Sequence, residues 1–136
     1  MSVHYLNPET HTQPQGRYSH VAVMEPGKLA FIAGQVATDE NLNLVAPNDA
    51  GGQFPQVFRN IAKVLGGLGA GFGDIVELTT YLVGEGSREP WLATRDAVYK
   101  EYFGDGPYPP NTLLIISGLV RPEMKVEISA IVRLPD

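Results

Sequence analysis

Two short runs of alternating apolar and polar positions, Arg17–Met24 and Lys28–Val36, flank Glu25-Pro26-Gly27. Period-two alternation puts one face of a strand on a core, and a Pro-Gly turn between two such runs predicts a β-hairpin. Residues 1–16 are polar, carry two prolines and read as an irregular lead-in. A polar stretch from Thr38 to Gly52 reads as a loop. The period then changes: Phe54, Val57, Phe58, Ile61, Val64, Leu65 and Leu68 recur at helical spacing, with Asp49 or Gln53 near the start, which predicts an amphipathic helix of about four turns. Ile75–Val83 alternates as a strand with Val76, Leu78, Thr80 and Leu82 on one face. A second helix is predicted where Trp91, Leu92, Arg95, Val98, Tyr99 and Tyr102 share a sector, with Pro90 early enough to be tolerated. It stops at Gly104-Asp105-Gly106-Pro107. Strands over Thr112–Ser117 and Met124–Leu134 complete the order ββ, α, β, α, ββ, an α+β fold.

Two helices can cover one face of a five- or six-stranded sheet, which leaves the other face open. Leu113-Leu114-Ile115-Ile116 is apolar on both faces, a pattern that fits burial on two sides. No residues remain for a second layer, so the expected cover is another copy of the chain.

The length of 136 residues sets one domain spanning 1–136. Apolar residues make up 43% and charged residues 18%, enough for a core but few charges for a monomer's surface. Fifteen acidic against ten basic side chains give a net charge of −5, and no Lys/Arg cluster exceeds two residues. A nucleic-acid-tracking surface is therefore not expected. The absence of cysteine removes disulfides, thiol nucleophiles and thiolate metal sites. The N-terminal segment lacks the apolar stretch of a signal peptide, and no run approaches the ~18 apolar residues of a membrane span, so a cytoplasmic protein without a membrane partner is expected.

The glycine run Gly66–Gly73 fits neither G-x-G-x-x-G nor a P-loop, and it follows a helix instead of preceding one, so it reads as a helix end and a turn. His4, His11 and His20 match no metal-ligand spacing. His20 alone, close to Arg17 and Tyr18, is a candidate to line a site. No G-x-S-x-G elbow is present. Glu127 is the one acid inside the most regular strand, on the face away from the helices. Covered by another copy it would have to be paired, hydrogen-bonded or protonated, and it becomes a candidate acid/base or water-orienting group.

The segments Ile32-Ala33-Gly34-Gln35-Val36, Asn60-Ile61-x3-Leu65, Gly73-Asp74-Ile75-Val76-x2-Thr79-Thr80-Tyr81-Leu82, Tyr99-x2-Tyr102-Phe103, Tyr108-Pro109-Pro110-x-Thr112 and Lys125-Val126-Glu127-Ile128-x-Ala130-Ile131, in this order, resemble the RidA (YjgF) family, also labelled endoribonuclease L-PSP. The resemblance covers nearly the whole chain from Tyr18. It implies a chorismate-mutase-like fold, a homotrimer, and a small-molecule cleft at each subunit interface. It also implies cofactor-free hydrolysis of reactive enamines and imines to carbonyl compounds and ammonia. In that family an arginine opening the penultimate strand grips the substrate carboxylate and a glutamate on the last strand helps position water.

Carried over by position, Glu127 matches the glutamate as the catalytic candidate, Tyr18 the aromatic of the cleft, and Gly34 a close-approach glycine. His20 and Thr112 join them as substrate-binding candidates. The gripping arginine falls on Asn111, the usual serine on Ala33, and an asparagine of the second helix on Asp96. One neutral N–H replaces a charge-assisted pair, which should weaken 2-imino-acid binding by roughly 2 to 4 kcal/mol, about thirty- to a thousand-fold. Arg17, Arg95 and Arg121 are the possible stand-ins. The expectation is a trimer holding a ligand less anionic than an imino acid, with deaminase activity weak or absent. Beside it stand a hydrolase for a less anionic substrate, a ribonuclease, which the acidic balance disfavours, and an interaction protein with no small ligand.

Overall fold

The computed structural model describes residues 2–136. Strands β1 (Val3–Leu6) and β2 (Val21–Met24) pair antiparallel as a small sheet. Strands β3 (Leu29–Gln35), β4 (Ile75–Val83), β5 (Asn111–Ile116) and β6 (Val126–Arg133) form a mixed sheet in the order β3-β6-β4-β5. Its one parallel pair, β4 with β5, is joined by helix α2 (Arg88–Phe103), the crossover that parallel neighbours require. Helix α1 (Ala50–Gly67) packs beside α2 and against β3 and β6.

The core lies between helices and sheet. Phe54, Val57, Phe58, Ile61 and Leu65 of α1 meet Leu78 and Leu82 of β4 and Val126, Ile128 and Val132 of β6, all buried. Phe58 is the hub of an aromatic cluster, its ring centroid 4.9 Å from Phe54, 5.2 Å from Phe72 and 5.6 Å from Tyr99. Asp49 caps α1 by backbone position with no side-chain hydrogen bond. Gln53 turns fully inward, where Nε2 donates to the carbonyls of Ala46 and Glu123 and Oε1 accepts from Lys125 N–H at 2.8 Å. One buried amide thereby fastens the polar loop to the start of β6. The glycine run ends α1: Leu68 is the C-cap and Gly69 takes φ +69°, a left-handed value that suits glycine.

Several expectations are corrected. The hairpin across Glu25-Pro26-Gly27 does not form, since β2 pairs with β1 while β3 pairs with β6. Arg133 holds the turn instead. Read as a polar-face residue, it is only 2% exposed, and it donates from Nε to Glu25 O at 2.9 Å and from Nη2 to Pro26 O at 2.6 Å. The turn carbonyls are held by a side chain, and the chain passes from one sheet to the other. The lead-in is not wholly irregular, because Val3–Leu6 is a strand. Four residues alternate too briefly to stand out; their order comes from β2, from buried Val3, and from Tyr5, whose hydroxyl donates to Ile75 O at 2.6 Å. Burial pushes the Tyr5 hydroxyl up to about 12. His20 precedes β2 and so is not in the main sheet. In β4 a bulge between Ile75 and Glu77 shifts the alternation, so Ile75 is buried where Val76 was expected.

Among the described residues no helix is long and apolar enough to cross a membrane, and no group of three or more His, Cys, Asp or Glu is placed to hold a metal ion.

Candidate functional site

Asn111 is the first residue of β5, paired in register with Leu78 on the helix-facing side of the sheet. The hydroxyl of fully buried Thr80 donates to Asn111 Oδ1 at 2.7 Å. That bond engages the amide's acceptor and leaves Nδ2 to donate elsewhere.

Beside it opens a cavity of about 390 Å3, within the roughly 300–1,000 Å3 usual for small-ligand sites. Three elements wall it: Gln15, Gly16, Arg17 and Tyr18 of the loop before β2; Arg88, Trp91, Leu92, Arg95 and Tyr99 of α2; and Asn111 with Leu113 of β5. Spacings of three and four along α2 put those five side chains on one stripe of the helix. No carboxylate is in the lining.

Asp96 stands just outside it and orders the guanidiniums. Its Oδ1 accepts from Arg17 Nε at 2.7 Å and from Arg95 Nε at 3.2 Å. Arg17 Nη1 donates to the Tyr108 hydroxyl at 2.7 Å. The Arg17 guanidinium holds the Asp96 carboxyl below the usual carboxylate range, with Arg95 assisting. Arg95 lies over the Trp91 ring, 5.9 Å from its centroid, and Arg88 pairs outward with Glu85 at 2.8 Å. Trp91 is 3% exposed, and its Nε1–H is buried with no hydrogen-bond partner among the described residues. A buried donor left unpaired carries a real cost.

Glu127 lies elsewhere. It pairs in register with Tyr81 on the sheet face turned away from the helices, the face that also carries Thr79, Ser129 and Ile131. Thr112 pairs with Thr79 and shares that face. Gly34 abuts the glutamate so closely that an added Cβ would sit 2.5 Å from Glu127 Cδ. The residues matched from sequence therefore fall into two groups. Tyr18 and Asn111 line the cavity on the helix side, while Gly34, Thr112 and Glu127 gather on the open face. His20 joins neither: Nε2–H donates to Thr12 O at 2.7 Å, and the ring sits 4.9 Å from His11 and 5.7 Å from Tyr18. Of the three possible stand-in arginines, Arg17 and Arg95 reach the cavity and Arg121 does not. Arg88 and Gln15 were missed. Their signal was weak, since Arg88 opens its helix and Gln15 sits in a loop; Trp91 and Arg95 were visible as one helical sector.

The family model described as Endoribonuclease L-PSP matches residues 9–134. A RutC family protein of Pyrococcus horikoshii is 31% identical over 123 residues, 90% of this chain and 91% of that protein. Protein DfrA of Myxococcus xanthus is 32% identical over 116 residues, covering 85% of this chain and 84% of its own. Among solved structures, a Rid-family protein of unknown function from Yersinia pestis superposes with a TM-score of 0.86 at 34% identity, covering 98% of this chain and 100% of the other.

Proposed function

The chain belongs to the endoribonuclease L-PSP family, the RidA/YjgF family, and from that premise we propose that it binds a small anionic molecule in the cavity between the lead-in loop, α2 and β5, with hydrolysis of 2-imino acids weak or absent. The observation that carries this reading is the lining itself: three guanidiniums and an amide donor, with no carboxylate.

Hydrolysis of an imine needs water aimed at the C=N carbon and a group that takes its proton. No lining side chain is a carboxylate or an imidazole, so the cavity of one chain has no such base. Glu127 sits on the opposite face of the sheet. In a homotrimer in which copies cover one another's open faces, a neighbouring Glu127 is the group that would complete the cleft, and any residual turnover depends on it. The positive lining favours an anion over the less anionic ligand that Asn111, taken alone, suggests. Binding by fixed charges and apolar walls proceeds without a cofactor.

The test measures ammonia release from 2-iminopropionate. Asn111 in place of arginine is expected to weaken 2-iminopropionate binding about thirty- to a thousand-fold, so ammonia release at low substrate falls well below that of arginine-bearing relatives. Glu127→Ala should remove what remains and leave the melting temperature nearly unchanged. A rate matching the arginine-bearing relatives overturns the reading.

A further inference from the structure

We propose that this cavity is a monocarboxylate site gripped from α2, with Arg95 as the anchor, and that its ligand carries the carboxylate on an apolar aryl or branched alkyl body without an ammonium group. The inference rests on the small-molecule reading above and narrows it to a ligand class.

The charges come first. Six arginines occur in the chain, at 17, 59, 88, 95, 121 and 133, and three of them line one cavity of a protein with net charge −5. Against the general field, that concentration sets a local positive potential. Asp96, shared by Arg17 and Arg95, and Glu85, paired with Arg88, balance two of the three charges from outside the lining. One positive charge is left over, which matches a monoanion.

The donors select the anchor. Asp96 occupies the Nε edges of Arg17 and Arg95, and Tyr108 takes Arg17 Nη1. Arg95 thus keeps both Nη groups free of protein acceptors among the described residues, and its side chain is the more enclosed, 25% exposed against 36% for Arg17. Two parallel N–H donors on a planar guanidinium match the two oxygens of a carboxylate. The Nδ2 of Asn111, whose Oδ1 is engaged by Thr80, is a further donor on a residue that lines the same space.

The walls select the body. Trp91, Leu92, Tyr99 and Leu113 give an apolar surface next to the guanidinium. With no carboxylate in the lining, the ammonium of an amino acid would enter without a counter-charge, whereas an aryl or branched alkyl carboxylate leaves no charge unmatched.

Trp91 is the only tryptophan of the chain, so its emission reports occupancy of the cavity directly. The probes are phenylacetate, its neutral isostere phenylacetamide, and phenylalanine, titrated into the full-length protein with calorimetry in parallel. Phenylacetate is expected to saturate, with phenylacetamide and phenylalanine each about ten- to a hundred-fold weaker. Arg95→Gln should bring phenylacetate down to the level of phenylacetamide, erasing the preference for the acid while both still bind, a pattern that misfolding would not produce. Full phenylacetate affinity in Arg95→Gln overturns the Arg95 inference while the anion-binding reading stands; equal binding of acid and amide overturns both the carboxylate inference and the anionic part of that reading. Absence of any emission or heat change with all three probes overturns the carboxylate inference and the small-molecule reading together.

Discussion

Thr80 and Asn111 show how one buried bond decides what a position can do. The family resemblance made Asn111 legible as the place of a missing arginine, yet the side chain's direction was not legible, because its partner lies 31 residues upstream on a neighbouring strand. With Oδ1 held by Thr80, the amide presents N–H groups only. Asn111→Leu strips the buried hydroxyl of its acceptor and should lower unfolding free energy by about 1–3 kcal/mol in urea titration. Asn111→Asp keeps that acceptor, so it should retain most of the stability while placing a negative charge that competes with a bound anion for the one uncompensated positive charge of the cavity. Loss of phenylacetate affinity without matching loss of stability is the expected outcome; equal losses would mean that Asn111 is a packing residue alone.

Among the elements, both helices and most strands were readable because their apolar periods are long and their burial follows those periods. Strand partnering was not. Alternation says which face of β3 is buried but not which strand lies beside it, and here the choice is tied to Arg133 holding the turn at Glu25 and Pro26. Gly27 is part of that arrangement, since a Cβ there would come within 2.6 Å of the Arg133 guanidinium carbon. The guanidinium is buried and bound to main-chain carbonyls on several sides, so it has little room to retreat. Gly27→Ala should therefore cost about 1–3 kcal/mol, the usual range for overpacking a filled site. A thermal or urea melt checks it; a change of a few tenths would show that the guanidinium moves freely. Gly34 contrasts with it, because its close neighbour is the flexible end of Glu127, which can swing aside.

For the whole molecule, the sequence pattern leaves one face of the sheet to be covered by another copy of the chain. Among the described residues of one chain nothing covers much of it: Phe31 is 72% exposed, Leu29 43% and Leu114 40%. Copies of the same chain are the expected cover, and Phe31→Glu tests it by placing a charge where an aromatic ring would be buried. Losing about 1.5–3 kcal/mol of apolar burial per ring weakens association by about ten- to a hundred-fold per contact, which sedimentation at micromolar concentration resolves as a shift toward single subunits. An unchanged sedimentation coefficient would place the interface elsewhere. The separation of Arg95 and Glu127 onto opposite sides of one sheet has a genetic consequence under the assembly proposed above. A chain damaged only at its arginine and another damaged only at its glutamate each still own an intact half. Co-expressed, they can form mixed rings in which one healthy half from each meets at a shared boundary, so two defective alleles would partly cure each other.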